Sequence, residues 1–97
     1  MFELRFTRVA ADHLEQLEQD SGRDKRLKAV RKALGYLQLN PRHPSLSTHQ
    51  YTILVGPQGE EICEAYAENR TSTAYRIFWH YGPGQKTINL IAITAHP

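Results

Sequence analysis

Between Glu64 and His96 the chain carries the side chains that acid–base and phosphate chemistry use. Glu64, Tyr66 and Glu68 stand at every second position, followed by Arg76 and His80, and then by His96 beside the final proline. Alternate residues of a strand share one face. If the three runs pair side by side, one sheet surface gathers Glu64, Tyr66, Glu68, Arg76 and His80, with His96 at its rim. Buried strands rarely place an arginine and a histidine among Ile, Phe and Trp unless those groups have a task or a partner.

Such a set suits metal-free cleavage of an RNA phosphodiester. A base removes the 2′-hydroxyl proton, a cation steadies the charge building on phosphorus, and an acid protonates the departing 5′ oxygen. Glutamate or histidine serves as base, Arg76 as the charge clamp, and histidine or tyrosine as acid. A histidine near its ordinary value of about 6.5 needs little tuning for either role. The same residues also admit structural readings. Arg76 can pair with Glu64 or Glu68 across the strands, His80 can be a hydrogen-bonded residue of an aromatic strand, and Tyr66 can simply fill the sheet face. His43 and His49 lie among prolines without metal-ligand spacing and read as structural.

The elements that must hold these side chains follow from periodicity. Residues 2–7 alternate, with Phe2, Leu4 and Phe6 on one side, as in a half-buried strand. Residues 8–20 predict a short helix through Ala10, Leu14 and Leu17, broken by Asp20-Ser21-Gly22, with Ser21 as a loose cap. Leu27, Val30, Leu34 and Leu37 draw one apolar stripe and predict a second helix over 23–39. Asn40-Pro41 ends it, because the residue before proline is pushed out of helical backbone. Residues 41–50 read as a loop tethered by Leu46, and YTILV as a strand followed by a turn at Pro57-Gln58-Gly59. Runs 61–68, 74–81 and 87–95 predict three more strands, the last two joined by a hairpin through Tyr81-Gly82-Pro83-Gly84. Cys63, Ala65 and Ala67 form a small apolar face suited to helix packing, while Tyr75, Ile77 and Trp79 make a bulky one. The expectation is an α+β domain spanning 1–97, with two helices on one face of a mainly antiparallel sheet of four to five strands.

Composition narrows the setting. At 97 residues one core is available, burying roughly 60–65% of the unfolded surface. The net charge is only +2, yet six of the twelve basic residues fall between Arg23 and Lys32. Lys25, Arg26, Lys28 and Arg31 at this density bring phosphates close, or else form the solvated side of an amphipathic helix. One cysteine, Cys63, excludes an internal disulfide and a cysteine-based zinc site, and fits a reducing cytoplasm. No apolar run approaches the ~20 residues of a membrane helix.

These pieces resemble the RelE/ParE superfamily of toxins from type II toxin–antitoxin modules. The resemblance rests on the helix closing at LQLNPRHPSL, the strand EAYAEN, and AYRIFWHY followed by INLIAITAHP. It covers nearly the whole chain. It implies a small cytoplasmic toxin held inactive by an antitoxin, needing no cofactor or metal, that enters the ribosome and cuts mRNA. Arg76 matches the family's transition-state arginine and His96 its C-terminal histidine. Glu64 then stands as a proton-transfer group, Tyr66 as a substrate contact, and Lys25, Arg26, Lys28, Arg31 and His80 as contacts to RNA or the ribosome. Glu64, Tyr66 and Glu68 replace the lysines of the best-known ribosome-dependent members. The resemblance therefore also admits a relative that inhibits DNA gyrase, or an inactive one that binds only its antitoxin.

Overall fold

A computed structural model of the chain describes residues 1–68 and 73–95. Strand β1 (Glu3–Phe6) leads into helix α1 (Arg8–Gln19) and helix α2 (Asp24–Leu39). Four strands follow: β2 (His49–Val55), β3 (Glu61–Tyr66), β4 (Tyr75–Tyr81) and β5 (Thr87–Ala95). They form one sheet in the order β1-β5-β4-β3-β2, with β1 parallel to β5 and every other pairing antiparallel. The predicted α+β arrangement is thus observed, with β4 at its centre.

Local signals explain the helices. Thr7 caps α1: its hydroxyl accepts from Ala10 N–H at 3.2 Å and donates to the Ile91 carbonyl at 3.1 Å, tying the helix start to β5. The break after α1 is capped by Asp20 rather than Ser21, because the Asp20 carboxylate accepts from Gly22 N–H at 3.0 Å. The α2 stripe is buried as its spacing predicts, with Val30 and Leu37 fully enclosed. Pro44–Leu46 adds a single 3-10 turn, and Leu46 anchors the connecting segment in the core.

Both helices cover one sheet face. There Cys63, Ala65, Ile77, Trp79, Ile88, Leu90 and Ile93 join Ala10, Leu17 and the α2 stripe in the main core. Each fully buried Leu or Ile there contributes roughly 1.5–3 kcal/mol. A bulge lets Trp79 pair with Leu90 while Phe78 pairs with Ala92, leaving Ile91 as the extra residue. That insertion resets the alternation of β5, so Leu90 and Ile93 both face the helices. The opposite face carries a smaller cluster of Tyr51, Ile62 and Phe78. It is on this second face that the polar residues of β3 and β4 converge.

Candidate active site

Register decides which side chains meet. On the β3–β4 ladder Tyr66 lies directly opposite Arg76 and Glu64 opposite Phe78, while on the β2–β3 ladder His49 lies opposite Glu64. Four side chains from three strands therefore share one patch of the helix-free face. Glu64 is 2% exposed and Arg76 6% exposed. The Arg76 Nε stands 3.7 Å from Glu64 Oε2, and its guanidinium carbon lies 4.5 Å from the centre of the Tyr66 ring. A planar cation over an aromatic face is favourable, and Tyr66 holds the guanidinium in one orientation.

His49 completes the patch. Its Nε2 lies 2.7 Å from Glu64 Oε1 and its Nδ1 lies 2.9 Å from the Ser47 carbonyl, while its ring meets Tyr66 edge-on at 5.7 Å. A carbonyl and a carboxylate are both acceptors, so this geometry is satisfied when both ring nitrogens carry hydrogen. The imidazole side chain is 44% exposed, unlike its buried partners. It is the most solvent-exposed member of the patch.

His49 corrects the reading of that residue as a loop histidine. Strand β2 begins two residues before the apolar run YTILV, which brings His49 into the ladder. The available signal was alternation: His49 stands two residues before Tyr51, so the two share a face. Glu68 is the opposite correction. Strand β3 ends at Tyr66, so alternation stops and Glu68 turns away from the patch. Its Oε1 accepts from Arg26 Nε at 2.9 Å and from Tyr75 N–H at 2.7 Å.

The remaining sequence-predicted residues are dispersed. His80 is buried, with Nδ1 2.9 Å from the Tyr81 carbonyl and Nε2 3.2 Å from the Asn89 amide. It stands four residues along β4 from Arg76, roughly 13 Å at about 3.3 Å per residue. On α2, Lys25 and Lys28 are exposed. Arg26 is engaged by Glu68 and lies 4.3 Å over the Tyr75 ring, and Arg31 pairs with Glu18 at 3.1 Å. His96 lies outside the described residues. Among the described residues, no group of three or more His, Cys, Asp or Glu is arranged to hold a metal ion. No helix among them is long and apolar enough to cross a membrane.

No protein-family model matches the chain, and no curated protein does. Solved structures match over nearly the full length. A YoeB/ParE toxin from Agrobacterium tumefaciens superposes with a TM-score of 0.72, at 10% identity, over 99% of this chain and all of that one. The RelE–RelB complex of the archaeon Pyrococcus horikoshii OT3 gives 0.65, at 12% identity, over 97% of this chain and 93% of that one. The chain has the RelE/ParE toxin fold. A metal-bound toxin from Helicobacter pylori matches likewise, with a TM-score of 0.68 at 16% identity over 99% and 96% of the two chains. At such identities the likeness establishes the RelE/ParE architecture and no more.

Proposed function

We propose that this chain is the toxin of a toxin–antitoxin module and cleaves RNA at the His49–Glu64–Tyr66–Arg76 patch, acting on mRNA in the ribosome. The observation that carries the reading is the Arg76 guanidinium, held by Tyr66 and Glu64 on the helix-free face beside an accessible histidine. In the reaction the 2′ oxygen attacks phosphorus, the P–O5′ bond breaks, and a 2′,3′-cyclic phosphate forms. Arg76 offsets the charge gained by the phosphoryl oxygens, more strongly for being largely removed from water. A protonated His49 donates a proton to the leaving 5′ oxygen, its Nε2–H turning from Glu64 to the substrate. Glu64 orients it and balances the charges of Arg76 and His49. The proton of the 2′-hydroxyl passes to a second base, the role that the family resemblance gives His96.

The partner would be an antitoxin, by analogy with the complexed archaeal protein of the same fold. Ile53, Leu54 and Val55 on edge strand β2 are exposed apolar residues that such a partner could cover. A second reading, a non-nuclease toxin directed at DNA gyrase, takes the buried Arg76–Glu64 contact as a structural ion pair only.

Primer extension on mRNA from a translating extract distinguishes the two. Discrete cuts with the wild-type chain, lost with Arg76→Ala and reduced about 10²–10⁴-fold with His49→Gln, are expected for proton transfer by His49. Intact mRNA with folded protein and inhibited supercoiling would replace the nuclease reading by the second.

A further inference from the structure

A groove of about 350 Å³ opens between α2 and the end of β3, next to the patch, and Tyr66 belongs to both. Its walls include Ala29, Lys32 and Tyr36 from α2, Ser45 from the 3-10 turn, and Tyr66 and Glu68 from the end of β3. The size lies at the lower end of small-molecule sites. Two features give it chemical character. Its aromatic walls are Tyr36 and Tyr66, and Tyr36 is fixed from behind by His43, stacked at 4.0 Å and 14°. Its polar groups have opposite sense: the Lys32 ammonium only donates and the Glu68 carboxylate only accepts.

Glu68 is also held in place. Both of its hydrogen bonds, from Arg26 and from Tyr75 N–H, fall on Oε1, whereas a carboxylate offers about four acceptor positions over two oxygens. A ligand donor meeting Glu68 would find a group already immobilised, which lowers the ordering cost of binding. A flat heteroaromatic ring with donors and acceptors on its edge fits these walls better than an aliphatic or purely apolar ligand does. Tyr66 is only 4.5 Å from the Arg76 guanidinium, so such a ring would lie beside a phosphate held there.

We propose that this groove binds the nucleobase adjoining the phosphate at Arg76. The inference rests on the RNA reading of the Arg76 patch. Glu68 accepts from an amino or ring N–H donor on the base edge, Lys32 donates to a ring nitrogen or carbonyl, and the tyrosines supply the stacking by which single-stranded RNA bases are usually held.

The test is an NMR titration of isotopically labelled full chain with the 3′-monophosphates of guanosine, adenosine, cytidine and uridine, and separately with inorganic phosphate. The nucleotides should move the signals of Ala29, Lys32 and Tyr36 as well as Arg76, while phosphate moves only those around Arg76. Ala29→Phe, which fills the groove, should weaken nucleotide binding about tenfold or more, the order of a lost stacking contact, and leave phosphate binding unchanged. Lys32→Ala, on an exposed helix position, repeats the test should the larger side chain disturb the fold. Nucleotide shifts confined to the Arg76 region, or affinities unaltered in both variants, would overturn the proposal. Cleavage by the wild-type chain is scored separately. Intact RNA there, with groove shifts present, removes the RNA-cleavage reading and leaves the nucleobase site standing.

Discussion

The imidazole of His49 and the carboxylate of Glu64 lie 2.7 Å apart, and the carboxylate is enclosed while the imidazole reaches solvent. One buried carboxylate thus meets two basic side chains, since Arg76 approaches its other oxygen at 3.7 Å. Removing it should be more damaging than removing either partner. Glu64→Ala leaves the Arg76 charge enclosed without its counter-ion and should cost about 3–5 kcal/mol of stability. Glu64→Gln keeps the shape and part of the hydrogen bonding, and should cost about 1.5–3 kcal/mol. Urea unfolding of both variants, and of the Glu64/Arg76 double-mutant cycle, measures this. A coupling near zero would mean that the pair is not a structural unit.

Much of this patch was legible from alternation alone. Glu64, Tyr66 and Arg76 fall on one surface because each strand splits its residues between two faces. Cys63, Ala65, Ile77 and Trp79 fall on the helix side for the same reason. What alternation cannot supply is register, so the direct opposition of Tyr66 and Arg76 was not readable. Nor does it say where a strand stops: the turn of Glu68 toward Arg26, and the early start of β2 at His49, are both strand-end effects. The Ile91 bulge is of the same kind, a local slip that a uniformly apolar run like INLIAITA conceals.

Cys63 should be chemically silent in the native protein. Burial against the helices raises its thiol above the ordinary value of 9.0, with the Glu61 carboxylate adding to the rise and Arg42 opposing it. The thiolate is the reactive form, so a raised value and an enclosed sulfur both slow alkylation. Iodoacetamide at pH 8 should label the folded chain far more slowly than the urea-unfolded one, with the rate following the unfolding transition. Rapid labelling in native buffer would show that β3 opens locally.

The β2–β3 turn should respond to acid. The Glu60 carboxylate accepts from Gln58 N–H at 2.9 Å, and this bond, followed by one from its own N–H, lowers its pKa below the ordinary 4.5. A group depressed on folding stabilises the folded form above its unfolded value, and the benefit is lost as pH falls through the lowered folded value. Protection of the Gln58 amide from exchange should therefore be present above pH 4.5 and decline on acidification below it. Glu60→Gln should show weak protection at every pH. Gly56→Ala should mimic this, because a Cβ there would run into the Glu60 carboxylate.

The basic face of α2 should separate into two kinds of residue. Lys25 and Lys28 are exposed, whereas Arg26 binds Glu68 and covers Tyr75 at partly buried positions. If α2 meets RNA through its charge, Lys25→Ala/Lys28→Ala should weaken binding and flatten the dependence of log K on log salt by about 2, with thermal stability unchanged. Arg26→Ala should instead cost about 1 kcal/mol, a value kept small by solvent screening of the pair, and should shift the Tyr75 signals. Fluorescence anisotropy across a salt series, alongside thermal melts, reads both effects. An unaltered salt slope in the double lysine variant would take RNA contact away from α2 and leave the patch around Arg76 as the surface that meets phosphate.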